Sequence, residues 1–534
     1  MTGRNRARGQ NLGQGRGRDR GHDGWWSSPA YVALLLVLMT VPLLWPAFPP
    51  LDDVPTHMGR FRIQAGMANA PTLAALFSIH WMPVGNLGVD LLVLPIQRWL
   101  GIELATKIVV MTIPVVSAGG LLLIAREAHG RLPASAAFAL PLVYGYAFQY
   151  GFINFSLAAG LALVGFGLVL RYQRLDRPVV WRMLILLGSV VIYFAHIFGW
   201  VVFGLLVGGN ALYRHVTSWK IGLRTIRAVF LEGLLLALPL IPIVLWRSGD
   251  NAGETGPYFD VMHKWGWIES AMRDRWVQWD GLAALGCLGL VLLGLIGIAR
   301  MNRRLLVVFL VTALFYVFIP YAFFGLIYAD MRIAPLMLAI GIVALAPRPG
   351  WGRTATALVA LLAFGFVAAR TAATTVSYMR YAQDHERWLA ALPYIPKGAR
   401  VVAFIAPPCP RGWMVPRIIH LPSMAIVRRD AFANDQFDMP GAQLVEVGPS
   451  IPRAFAYHSS EQVRLPDCDR PEPYLADRIA QVPRGAFDHL WLIGVDAANR
   501  PREKWLKPVW FDERSALYAI VRQAPASLAK KRVG

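Results

Sequence analysis

Charge is what this sequence has least of. Only 16% of its 534 residues are charged, against about 25% in soluble domains, while 56% are hydrophobic. That excludes an ordinary soluble globular chain. Cysteine is nearly absent, with three residues in all, which excludes a disulfide-dense secreted scaffold. No Gly-rich phosphate loop and no Cys/His spacing of the zinc kind occurs, so neither a soluble nucleotide-binding module nor a zinc finger is expected. No internal repeat is visible. Acidic residues are few beside basic ones, 32 against 53, for a net charge of +21. The first 28 residues, with Arg4, Arg6, Arg8, Arg16, Arg18 and Arg20, resemble a nucleic-acid-binding tail at first sight. Basic residues also gather at cytoplasmic membrane edges, where they fix orientation and meet anionic lipid. That account needs no nucleic-acid partner.

Long apolar runs are what the chain has instead. A bilayer span needs about 20 apolar residues. Such runs begin near Pro29, Ala105, Ala134, Phe152, Val180, Ile197, Ala228, Gly281, Leu305, Ile333 and Thr354. The first follows a basic segment without a small-residue cleavage site and reads as an uncleaved signal anchor. Val180–Leu212 is almost continuous and is divided at His196-Ile197-Phe198-Gly199. Charge supports the division. With a cytoplasmic N-terminus, the inside loops carry Arg126 and Arg131, then Arg171, Arg174, Arg177 and Arg182. Arg214, Lys220, Arg224 and Arg227 follow, then Arg300, Arg303 and Arg304, then Arg348 and Arg353. The loop Arg247–Asp280 leans acidic and falls outside, as the positive-inside rule requires.

The expected fold is therefore mainly α, a polytopic membrane protein of about eleven transmembrane helices with a C-terminal outer-face α/β domain. Its parts are a basic, disordered cytoplasmic tail (1–28), a multi-span domain (29–377) with an outer loop at 46–104, and a periplasmic domain (378–534). β-rich runs at Ala399–Ile405 and His489–Val495 mark that last part, which also holds Cys409 and Cys468; these two stand as either bridged or unpaired. The expected location is a bacterial inner membrane.

Ionisable groups are expensive at membrane depth, about 2.5–3.5 kcal/mol each on the insertion scale. The stretch Pro49-Pro50-Leu51-Asp52-Asp53-Val54-Pro55-Thr56-His57-Met58-Gly59-Arg60 nevertheless sets four beside the first span. A plain reading makes Asp53 the N-cap of a helix begun near Pro55. Asn154, His196, His263, Lys264, Asp330 and Arg332 fall on the same expected face. Singly these read as a turn residue, interface residues and a local ion pair. Together they suit chemistry on a membrane-anchored donor better than a mid-membrane transport path. Trp81, Trp265, Trp267, Trp276 and Trp279 read as a membrane-interface belt or as surfaces for sugar rings.

The strings Asp53-x-Pro55-x-His57-x-x-Arg60, Gly151-Phe152-x-Asn154-Phe155 and Asp330-x-Arg332 resemble those of the GT-C superfamily of integral membrane glycosyltransferases, in its bacterial, polyprenyl-phosphate-sugar-dependent form. The resemblance implies transfer of a hexose or pentose from a polyprenyl-phosphate donor to an envelope glycan, lipid or protein on the outer face. Oligosaccharyltransferase acceptor motifs are not evident, which argues against protein N-glycosylation. The resemblance also implies Asp53 or Asp52 as catalytic base, with Asp53 in phase with the motif. Arg60 and Arg332, with Lys264 behind them, would meet the lipid phosphate; His57, Asn154, His196 and Asp330 would complete substrate binding. No cofactor is certain, though a divalent cation, Mg or Mn, held by Asp52, Asp53 and His57 stays open. The alternatives are a non-catalytic envelope scaffold and a lipid-linked sugar flippase or other transporter.

Overall fold

The computed structural model describes residues 24–216, 222–241, 255–323, 327–348, 350–410, 412–438, 443–456 and 461–522. Most of the basic tail, Lys220, Asp250 and Glu254 lie outside them. Among the described residues, six helices are long and apolar enough to cross a membrane. They are Gly88–His129, Ile153–Arg174, Pro178–Ala195, Ile197–His215, Val277–Leu295 and Arg353–Leu389, the last extended by a 3-10 turn to Tyr394. The break at His196 is where the sequence places it: His196 Nδ1 accepts from the Phe198 amide at 3.0 Å and caps the following helix.

The other expected spans are helical but shorter. Pro29–Leu38 continues through a 3-10 turn at Val41–Leu43, and Arg303–Phe318 and Ala329–Val343 have 16 and 15 residues. The run from Ala134 is a nine-residue 3-10 helix, Ala136–Tyr144, containing Pro141. It still passes from one end of the bundle, where Ser135 Oγ donates to Leu345 O at 3.1 Å, to the other, where Tyr150 O accepts from the Asp53 amide at 3.0 Å. Nearly all of it is buried among other helices, so its apolar character reflects protein packing and not contact with lipid. The run from Ala228 gives only Leu223–Gly233 and a 3-10 turn at Leu234–Leu236 before residues 242–254, which lie outside the described set.

The C-terminal region holds a five-stranded mixed sheet. Its strands are β1 (Arg400–Ile405), β2 (Phe432–Ala433), β3 (His489–Ile493), β4 (Leu506–Asp512) and β5 (Ser515–Ile520). Their order is β2-β1-β3-β5-β4, with β1 parallel to β2 and β3, and β5 antiparallel to both its neighbours. The central strands β1 and β3 are buried almost throughout, as expected of strands covered on both faces. Cys409 and Cys468 form a disulfide; Cys287 is free and buried.

This region is tied to the expected outer loop. Phe77–Ile79 pairs antiparallel with Val445–Val447. The short helix Ser423–Arg429 packs on Val54–Ala65 at Gly59, where a Cβ would come within 2.5 Å of Gln436 Nε2. Arg417, at φ +53° and fully buried, locks the junction. Its guanidinium donates to Pro50 O at 2.6 Å, to Gln149 Oε1 at 2.7 Å and to Asp274.

Candidate active site

Asp53 stands at the start of the helix Val54–Ala65, which has Pro55 in its first turn, yet its side chain makes no capping hydrogen bond. The capping account fails, and the carboxylate is left for other contacts. Its backbone is pinned instead: the Asp53 amide donates to Tyr150 O at 3.0 Å. Gly151, at φ +100°, permits that approach, since a Cβ there would meet Asp53 N at 2.5 Å. The Gly-Phe-x-Asn-Phe string therefore serves the acidic pair through its glycine. Asp52, Asp53, His57 and Arg332 are all buried.

The partner of Asp53 comes from the far end of the sequence. His420 Nε2 lies 3.5 Å from Asp53 Oδ1, and His420 Nδ1 lies 2.7 Å from Asp435 Oδ1. Asp435 is held in turn by the Ser423 amide at 2.9 Å, and its backbone oxygen accepts from Thr56 Oγ1 at 2.8 Å. Burial pushes the Asp53 carboxyl up to about 7; His420 opposes that shift and Asp52 adds to it. Burial likewise raises Asp52 to about 6, against His420 and Arg417. Burial alone would lower the His420 imidazole, but Asp435, Asp53 and Asp52 outweigh it and hold the ring up at about 9. The site thus contains a protonated imidazole facing a carboxyl that titrates near neutrality.

Arg332 faces the same group closely enough for its charge to act on Asp53. Its guanidinium carbon lies 3.9 Å from the Phe152 ring centroid, 5.5 Å from Phe155 and 5.7 Å from Phe198. Arg332 Nε, Asp52 Oδ1 and His57 Nδ1 are buried without hydrogen-bond partners. A buried polar group left unpaired costs about 1–3 kcal/mol, so these three atoms point to a ligand that completes them. Arg332 also lines a small cavity of about 70 Å³, walled by Leu121, Leu142, Phe148, Leu163 and Leu336 among others.

The remaining candidates sit elsewhere in the network. Arg60 is engaged two-pronged by Asp90, Nε to Oδ1 at 2.9 Å and a terminal nitrogen to Oδ2 at 2.8 Å. Asn154 donates to the same carboxylate at 3.1 Å, and its oxygen accepts from the Val89 amide at 2.7 Å. Both converge on Asp90 in the first turn of Gly88–His129. Lys264 pairs with Asp330 at 2.8 Å. His196 packs edge-on against Phe155, one of the rings around Arg332. Burial, with Arg60 nearby, keeps His57 well below its usual imidazole pKa. Trp81, Trp265 and Trp279 are exposed, in keeping with a belt, while Trp267 packs beside Tyr146 and Tyr328.

Among the described residues no group of three His, Cys, Asp or Glu side chains is arranged to hold a metal ion. The imidazole of His420 lies between the two carboxylates, Nδ1 on Asp435 at 2.7 Å and Nε2 facing Asp53 at 3.5 Å. His420, Asp435, Arg417 and Asp90 were not singled out in the sequence. Asp90 alone carries a local signal, as a lone acid in the apolar run Gly88-Val89-Asp90-Leu91-Leu92-Val93.

No family model matches the sequence, and no curated protein matches it. Among solved structures, the chain is similar to ArnT from Cupriavidus metallidurans bound to undecaprenyl phosphate, at 12% identity and a TM-score of 0.48, over 93% of this chain and 99% of that one. The apo state of the same protein gives 12% and 0.49, over 92% and 97%. The arabinofuranosyltransferase AftD from Mycobacteria gives 16% and 0.44, over 93% of this chain and 42% of that one. These are likenesses of outline; the chemistry of the site rests on its own residues.

Proposed function

We propose that the chain is a membrane glycosyltransferase of the GT-C kind, moving a sugar from a polyprenyl-phosphate donor to an envelope acceptor on the outer face. One observation carries the reading: Arg332, buried with an unpartnered Nε and lining a largely apolar cavity, lies close enough to the buried Asp53, distant in sequence, for its charge to act on that carboxyl. The acceptor hydroxyl gives its proton to the Asp53 carboxylate as its oxygen bonds to the anomeric carbon. The bond from that carbon to the phosphate oxygen breaks, and its electron pair leaves with the lipid phosphate. Arg332 meets the charge that develops there. The Cys409–Cys468 bridge supports an oxidising compartment for the C-terminal region.

Membranes carrying the full chain, supplied with radiolabelled polyprenyl-phosphate sugars, should release free polyprenyl phosphate as label enters an acceptor. Label that crosses the membrane with its phosphate–sugar bond intact would favour the flippase instead. Bound donor with neither cleavage nor movement would favour the scaffold.

The pH dependence has a definite sign. Asp53 titrates near 7 and accepts a proton only when ionised, so kcat/KM should rise with pH through about 7. Among the groups facing it, His420 and Arg332 favour ionisation, while Asp52 and Asp435 oppose it. His420→Gln removes a favouring charge, and the acid limb should move up by at least about one pH unit. A profile unchanged in position would remove His420 from the electrostatics of the base.

A further inference from the structure

The end of the helical bundle away from Asp53 carries a cleft that the transfer chemistry does not use. Asn154 and Arg174 mark the two ends of the 22-residue helix Ile153–Arg174. That length rises about 33 Å, close to the ~30 Å of a bilayer's hydrocarbon core. Asn154 belongs to the site end and Arg174 lines the cleft, so the two features lie at opposite membrane faces.

The cleft has a volume of about 660 Å³, inside the ~300–1,000 Å³ range of ligand pockets. Arg174, Arg300, Arg303 and Arg304 line it, with Tyr213 and one carboxylate, Glu127. Glu127 is taken up by Arg174, whose Nε lies 2.8 Å from its Oε2. Among the described residues no carboxylate pairs with Arg300, Arg303 or Arg304.

The frame beneath these arginines is fixed. Arg300–Met301 pairs antiparallel with Leu345–Ala346. Asn302 caps the helix Arg303–Phe318 through Oδ1 and donates to Ala128 O at 2.8 Å. Arg304 lies 5.6 Å from the Tyr213 ring centroid. Like charges held together on a rigid frame repel, and an anion with several oxygens relieves the repulsion through guanidinium hydrogen bonds.

We infer that this cleft binds a phosphate-bearing anion, with the headgroup of an anionic lipid in the leaflet opposite Asp53 as the form the membrane supplies. The site is independent of the transfer reaction and stands or falls apart from it.

Native mass spectrometry on the full chain can count retained phosphatidylglycerol against phosphatidylcholine of matched tails, with inorganic phosphate as competitor. The exposed arginines allow a charge-matched comparison: Arg300→Gln with Arg303→Gln in the cleft, and Arg177→Gln with Arg182→Gln outside it. The cleft pair should lose phosphatidylglycerol by about fivefold or more, and the control pair should retain it. Retention in millimolar phosphate identifies the lipid as the source, and displacement identifies free phosphate. Equal loss from both pairs would show only general surface charge and would overturn the site, as would no loss from either.

Discussion

Asp53→Asn should lower sugar transfer by about 10²- to 10⁴-fold, the range that general-base catalysis supplies, while leaving membrane abundance at the parent level. Asparagine keeps the shape and can still accept from His420, but it cannot take a proton. The substitution also removes a buried carboxyl raised by its surroundings, so stability should not fall with activity. Asp52→Asn tests the same chemistry with the opposite sign. Asp52 raises the Asp53 pKa, and its removal should let Asp53 ionise at lower pH. The acid limb then moves down, where His420→Gln moves it up. Transfer by Asp53→Asn and by the double substitution at the parent rate would end the assignment of the base and leave the scaffold as the better reading.

How much of this was legible beforehand depends on the range of the interaction concerned. Spans are local: hydropathy over about 20 residues placed the break at His196 and the six helices long and apolar enough to cross a membrane. Local apolarity does not distinguish burial in lipid from burial in protein, which is why Ala136–Tyr144 reads as a span and folds as a 3-10 helix. The acidic pair was legible because two carboxylates beside an apolar run are costly without a purpose. Its partner was not. His420 and Asp435 lie in a segment with mixed polarity and no spacing signature, and they reach Asp53 only because Gly59 and Arg417 dock that segment on the bundle. Arg60 shows the converse. It stands in the motif, and a sequence cannot reveal that Asp90 already holds its guanidinium.

Arg332→Lys should weaken use of the lipid donor while keeping the charge. The guanidinium carbon lies over the Phe152 ring, 3.9 Å from its centroid, with Phe155 and Phe198 around it. A planar, delocalised cation stacks in such a cradle, whereas an ammonium is compact, more strongly hydrated and unable to present two parallel N–H groups to phosphate oxygens. A hydrogen bond to a charged group is worth about 1.5–3 kcal/mol, so kcat/KM for the polyprenyl-phosphate sugar should fall about 10- to 100-fold. Arg332→Ala should fall further, because it removes the charge that meets the leaving phosphate as well as the fork. Phe152→Leu keeps the apolar wall but loses the ring face, and its effect should be limited to the cation–π contribution of about 0.5–2 kcal/mol. The acid limb supplies an internal control: Arg332→Lys preserves the positive charge near Asp53, so the pH profile should keep its position while donor use drops. A lysine variant with parent kcat/KM for the donor would mean that the phosphate is met elsewhere, and Lys264, held by Asp330 beside the same face, would become the cation to test.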